Sequence, residues 1–469
     1  MRAVLVAQCF SLGVMGPGGR SEGAVKPWPA LVRDYPPPIA TGQGNHGRRR
    51  TCCAAGHDPS QGHRSASRAR RRVRSVTGLR AMSGRGQGEG PRPTATRRAW
   101  ALIDANTGLY LAGENPKEQL PGASTANLMV ALVALDEGVD FDEQVTVSED
   151  AASYAGPVNG VLYSNIGLYP YDRVSVRDLL TAALVPSGTD AVYALAEHLG
   201  DGSVDEFVAK MNDKAKELDL ENTHFENPAG IDARGNHSSA ADLATITREA
   251  MKYPVFREIV DEPEATISTQ DREIDVFTTN LLVLPNSGYD YGPATGVKTG
   301  TSTEAGPCLV ASAKSDDESY IVAVLGAAGD LQRFDAARTA LGYGFQSYDR
   351  GPLVDKAETY KTLTLPYRPR ETLALAAMEG VFGPSGPGLE VERRITAGAP
   401  PPEVRAGEKL GTLEVFVNGR IIGTSPLVAK TGYEVASPWQ KAQRAVAWPA
   451  QMLWAVIEGW ISKRVSEGT

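Results

Sequence analysis

Apolar residues along this chain switch between two periods, and the switches divide it into elements. Trp100-Ala101-Leu102-Ile103 is a short apolar run, closed by Asp104-Ala105-Asn106-Thr107-Gly108 and reopened at Leu109-Tyr110-Leu111, which predicts strand, turn, strand. Leu128, Met129, Val130, Leu132, Val133 and Leu135 then predict a helix buried on most of its sides. A strand follows at 144–147. Helices at 179–184 and 191–199 are joined through Pro186-Ser187-Gly188-Thr189-Asp190. An amphipathic helix at 204–218 places Phe207, Val208, Met211 and Ala215 on one face. Further helices are expected at 240–250, 256–259 and 330–348, with β-like chain over 264–284. Strands at 295–300, 308–313 and 320–326 follow one another through short turns. That spacing favours an antiparallel sheet with helices against it.

Past Gly351 the pattern changes to short β segments at 360–365, 412–417 and 420–422, with Gly and Pro between them. Asn418-Gly419 is a strong hairpin turn. The tail beyond Pro438 carries Trp439, Trp448, Trp454 and Trp460, and Val446, Leu453, Ile457 and Trp460 share one helical face. Its uncharged stretch, 445–457, is too short to span a bilayer and contains Pro449, so it suits a membrane interface or a docked helix. The expected class is α/β in the α+β arrangement. Four segments follow: 1–98 without a fold, 99–349 as the main domain, 350–436 as a small β domain, and 437–469 as an amphipathic helix.

Charge sharpens the first boundary. Residues 1–98 hold 18 Lys+Arg against 4 Asp+Glu, a net of +14, so within a total of −8 the remainder carries −22. An acidic body is a poor partner for nucleic acid. The leading segment is rich in Gly, Pro, Ser and Arg, with basic runs at 48–50 and 70–72 and no apolar period. It reads as disordered, with a nucleic-acid-binding arm as the sharper alternative and a true start near Met82 as another. Its first 15 residues make a poor secretory signal, interrupted by Gln8. Cys52, Cys53, His57 and His63 lack a usual zinc spacing, so no metal and no cofactor is expected. Cys308, the one cysteine of the body, lies in an apolar strand and reads as core.

Three places carry candidate chemistry. Ser124 opens the buried helix, where free N–H groups and the helix dipole favour developing negative charge. Ser187-Gly188-Thr189 joins one helix to the next, and Lys298-Thr299-Gly300 lies on a strand. Gly122-x-Ser124-x-Ala126 nearly spells a nucleophile elbow, but 112–121, with Pro116 and Pro121, does not read as the strand that motif needs. His198, His224 and His237 read as surface or structural residues, and Asp104, Asp190 and Asp242 as turn and cap residues.

Order and spacing resemble the penicillin-binding proteins and serine β-lactamases, whose signatures are Ser-x-x-Lys, Ser-x-Asn and Lys-Thr-Gly. The closer resemblance is to the low-molecular-weight D-alanyl-D-alanine carboxypeptidases. Ile103-Asp104-Ala105-Asn106-Thr107-Gly108, Ala123-Ser124-Thr125, Met211-Asn212-Asp213-Lys214-Ala215, Asn222-Thr223-His224-Phe225-Glu226-Asn227-Pro228, Gly296-Val297-Lys298-Thr299-Gly300, Glu304-Ala305-Gly306 and Arg333 are similar to stretches of that family, in order, from about 99 to 349. The resemblance implies a β-lactamase/transpeptidase-like fold and serine acyl transfer on a D-Ala-D-Ala stem peptide of peptidoglycan, or on a β-lactam, at the outer face of the cell membrane. It implies Ser124 as nucleophile, Ser187 as a proton relay, and Lys298, Thr299 and Gly300 as the hold on the substrate.

Two motif positions depart from the family. Asn127 stands at the lysine of the first motif and Thr189 at the asparagine of the second. An amide has no basic lone pair near neutral pH, so Asn127 hydrogen-bonds but is no general base. Lys298 substitutes only if it lies near Ser124 and is desolvated or beside another cation. Two functions follow: an impaired carboxypeptidase, or a pseudoenzyme that binds cell-wall peptides or a protein partner.

Overall fold

The computed structural model describes residues 97–365, 368–442 and 457–458. The expectations for 1–96 and for the tail from 443, apart from residues 457–458, lie outside the described residues.

Five antiparallel strands form the central sheet: β1 (Arg97–Asp104), β2 (Tyr110–Glu114), β3 (Ala294–Ser302), β4 (Gly306–Ser315) and β5 (Glu318–Ala327). Their order is β2-β1-β5-β4-β3, so β3 is an edge strand. The sheet is buried on both faces, which is why its strands read as apolar runs. Ala99, Ala101 and Ile103 of β1 enter one core with the helices that follow β2, while Trp100 and Leu102 enter a second core on the opposite face. Full burial of such a side chain stabilises by about 1.5–3 kcal/mol.

The first core is built around α1 (Asn127–Asp136), whose residues 127–135 are all buried. Around it stand α2 (Val176–Leu184), α3 (Thr189–Leu199), α4 (Val204–Glu217), α5 (Ala240–Ala250) and α6 (Pro254–Asp261). The hydroxyls of Ser175, Ser203 and Ser239 accept hydrogen bonds at the N-termini of α2, α4 and α5. Phe207, Met211 and Ala215 form the buried stripe of α4. The second core lies under α7 (Gln332–Ser347), which packs Phe334, Ala337 and Leu341 on the sheet.

Several elements were illegible in the sequence. A short helix at Glu149–Ser153, the strand Arg173–Ser175 that pairs with the expected strand at Gln144–Thr146, and the pair Pro157–Val158 with Val161–Leu162 are too short to carry a period. The β-like stretch 264–284 ends early: a hairpin pairs Glu264–Ser268 with Glu273–Phe277, and 278–284 is turn. The three aspartates divide. Asp104 holds a turn, accepting from Thr107 N and Oγ1 at 2.7 and 2.6 Å. Asp190 accepts from Ile166 N and Leu168 N as well as Ala191 N, and so tethers the 164–168 loop to α3. Asp242 accepts from Asn222 N and Thr223 Oγ1 at 3.0 and 2.8 Å, while the capping oxygen of α5 belongs to Ser239. Both are long-range ties rather than caps.

After α7 come β6 (Asp349–Val354), β7 (Thr359–Leu365), β8 (Arg368–Ala377), β9 (Val381–Ser385), β10 (Val391–Ala397), β11 (Lys409–Val417) and β12 (Arg420–Ala429). They form a C-terminal β domain with a sheet ordered β7-β8-β12-β11-β10 and a β6–β9 pair. Asn418-Gly419 turns β11 into β12 with Asn418 at φ 48° and Gly419 at φ 78°, the left-handed values of a tight hairpin. Tyr348 Oη donates to Leu111 O at 2.7 Å, and Arg420 Nη1 donates to Gly108 O at 2.6 Å, which joins this domain to the β1–β2 turn.

Candidate active site

Ser124 lies in a 3-10 turn, Ala123–Ala126, that runs directly into α1. The expected place in the first α turn is thereby corrected. Thr125 closes on Gly122 O with both its N–H, at 3.2 Å, and its hydroxyl, at 2.8 Å, and these tight contacts favour the narrower helix. Ala123 takes φ 48°, a left-handed value that alanine adopts only when its surroundings impose it. Gly230 is one such constraint: a Cβ there would stand 1.9 Å from Ala123 O.

Strand β3 presses on the same turn. A Cβ on Gly300 would meet Gly122 O at 2.7 Å, Thr125 N at 3.0 Å and Ser124 N at 3.1 Å. Glycine is required here by close approach of two backbones, since its φ is not left-handed. Gly300→Ala is expected to push β3 off the turn and destabilise by about 1–3 kcal/mol. A urea melt measures this, and an unchanged midpoint would mean that the turn yields freely.

Lys298 is fully buried, and its Nζ donates to Thr299 O at 2.8 Å. Burial first, and the nearby Arg333 guanidinium second, lower its pKa to about 7. Arg333 reaches from α7 to Gly300 O at 3.2 Å and Thr301 Oγ1 at 2.8 Å, and burial lowers its own pKa as well. Thr299 Oγ1 shares a hydrogen bond of 2.5 Å with Thr279 Oγ1. Ser302 Oγ donates to Asp232 Oδ1 at 2.5 Å, tying the end of β3 to the loop that contains Gly230.

Asn127, 1% exposed, opens α1 one helical step after Ser124. Its Nδ2 donates to Ala183 O at the end of α2, at 2.9 Å, and its buried Oδ1 has no partner among the described residues. Ser187 is buried with φ 69°, and Thr189 is the first residue of α3, its N–H bonded to Ser164 O at 2.8 Å. Tyr193, one turn along α3 from Thr189, stacks on Tyr154 with ring centroids 4.0 Å apart, and Tyr163 lies 5.9 Å from Tyr154. A serine on a strained turn, an edge strand with a buried lysine and an arginine, and a hydroxyl pair at the head of α3 suit attack on a carbonyl whose substrate carries an anionic end.

The family profile described as D-alanyl-D-alanine carboxypeptidase matches residues 88–329. D-alanyl-D-alanine carboxypeptidase DacF of Bacillus subtilis is 33% identical over 341 residues, covering 70% of this chain and 84% of the relative. The chain belongs to the D-alanyl-D-alanine carboxypeptidase family. DacC of Escherichia coli is 32% identical over 357 residues, covering 73% of this chain and 85% of its own. Penicillin binding protein 5 of Haemophilus influenzae superposes with a TM-score of 0.58 at 27% identity, over 75% of this chain and 100% of that one.

Within this carboxypeptidase framework the other candidates fall away. The residues before Ser124 form no nucleophile-elbow strand, since 115–119 is turn and coil. His198 lies 3.4 Å from Glu143, His224 pairs with His237 through their backbones, and no histidine is hydrogen-bonded to Ser124 among the described residues. Cys308 is fully buried, and burial raises its thiol pKa to about 11. Cys52, Cys53, His57 and His63 lie outside the described residues. The tyrosine trio and the Asp232–Ser302 bond escaped the sequence. Tyr193, four residues after Thr189, was the available clue to the first; no local pattern announces the second.

Proposed function

We propose that this chain is a serine acyl-transfer enzyme of D-Ala-D-Ala stem peptides whose acylation is slow. The observation that carries the reading is Asn127: its amide is spent on Ala183 O, and it offers Ser124 no base. Ser124 Oγ attacks the carbonyl between the two alanines, the terminal amine leaves, and water resolves the acyl-enzyme. Lys298, Thr299 and Arg333 line the edge at which the terminal carboxylate is held. Ser187 and Thr189 supply hydroxyls beside the path of the proton, although threonine lacks the reach of the amide it replaces. The site works on peptidoglycan at the outer face of the membrane, with the amphipathic tail at the lipid interface. Among the described residues no helix is long and apolar enough to cross a membrane.

Incubation with a labelled penicillin tests the reading. An adduct on Ser124 is expected, absent in Ser124→Ala, forming about 10²–10⁴-fold more slowly than in a relative with the first-motif lysine. No adduct at any pH would refute it. The second reading, a cleft that binds stem peptides without turnover, is favoured by the joint loss at Asn127 and Thr189. It requires measurable binding of a D-Ala-D-Ala peptide with no adduct.

A further inference from the structure

We infer that Lys298 takes the proton of Ser124 in this chain, doing the work of the amine that Asn127 removes. The inference rests on the proposal of a slow acyl-transfer enzyme.

The geometry of β3 carries it. Lys298 and Gly300 are two residues apart, so their side-chain directions leave the same face of the strand, about 6.6 Å apart along it. Their partners on β4, Val310 and Cys308, both enter the core around α1. The Gly300 direction points at Ser124 N, with a Cβ at 3.1 Å. Lys298 therefore leaves the strand on the side of the Ser124 turn, where its Nζ rests on Thr299 O with no hydrogen bond to Ser124 among the described residues.

Its surroundings suit a base. No carboxylate pairs with Lys298 among the described residues, and its one hydrogen bond is the donation to Thr299 O. The charged group that faces it is Arg333 of α7, and the Ser124 turn brings no charge. Asp261 ends α6, where burial raises its carboxyl pKa, and Asp232 is held by Ser302 Oγ and Glu304 N. With its pKa lowered to about 7, Lys298 is about half neutral near pH 7. A neutral amine still donates one N–H to Thr299 O and has its lone pair free.

The step balances. Nζ accepts the Oγ proton while Oγ bonds to the carbonyl carbon. The resulting ammonium gives that proton to the leaving nitrogen as the C–N bond breaks. In the second half Nζ accepts a proton from the attacking water and returns it to Oγ.

The experiment measures the rate of penicillin labelling against pH in four full-length proteins: wild type, Lys298→Arg, Asn127→Lys and the double variant. Arginine keeps a long side chain that donates hydrogen bonds but does not deprotonate. Lys298→Arg is expected to slow labelling about 10²–10⁴-fold in the wild-type background but under about 10-fold beside Asn127→Lys, where a second amine serves. Wild-type labelling should climb with pH through about 7, and Lys298→Arg should lose that limb. Equal losses in both backgrounds, with wild type labelling, would overturn the role of Lys298 and leave it as a substrate-binding residue. Absence of wild-type labelling at every pH would instead overturn the proposed enzyme and the role of Lys298 with it.

Discussion

Asn127→Lys, placed beside Lys298→Arg, should raise the rate of Ser124 acylation by about 10²–10⁴-fold over Lys298→Arg alone, the usual contribution of a general base. The position is prepared for it. Asn127 is buried at the head of α1, immediately after the turn that carries Ser124, and its Oδ1 leaves an unpartnered polar atom in that space. A lysine there replaces the amide bond to Ala183 O with an ammonium or amine directed among hydroxyls. Thr189→Asn should add to the gain, because the longer amide reaches a substrate backbone that the threonine hydroxyl does not. Stopped-flow or gel-based penicillin labelling measures both. Failure of the double variant to label faster, in a protein that still melts cooperatively, would mean that the cleft has diverged beyond its two altered positions.

Lys298→Met should stabilise the fold, and by an amount that depends on pH. The folded-state pKa of about 7 lies below the ordinary 10.5. Between those values the unfolded chain binds more protons than the native one, so wild-type stability rises with pH across this window. Below pH 7 the native state holds a fully buried charge, and there the methionine variant should gain the most, on the order of 2–4 kcal/mol after loss of the Thr299 O hydrogen bond. The gain should shrink toward pH 10.5, where both states are neutral. Urea unfolding at pH 6, 8 and 10 reads the trend. A stability difference independent of pH would show that the native lysine titrates normally.

The match to penicillin binding protein 5 of Haemophilus influenzae covers 75% of this chain. The Gly300 approach, the Gly230 clamp and the Asp190 tether all hold the site's geometry without supplying a base.

Local pattern determined a good deal by itself. The apolar stretch from Leu128 to Leu135 has no polar side within the helix, so only a core helix could satisfy it. The run of strands from Thr295 to Gly326 needed only short turns, so an antiparallel sheet followed. Ser124, Ser187, Thr189 and Lys298-Thr299-Gly300 stood out because their order and spacing resemble the family's signatures. The altered residue Asn127 was visible for the same reason. Tertiary structure decided what spacing does not encode. Whether Lys298 is a charged clamp or a neutral base depends on its burial and on Arg333, 35 positions further along. The 3-10 form of the Ser124 turn depends on β3 and Gly230 pressing from distant parts of the chain. Asp190 and Asp242 became ties across 22 and 20 residues, a role their local sequence hides behind that of a cap. Charge state and backbone strain are set by neighbours brought together through packing, and such neighbours leave no period along the chain.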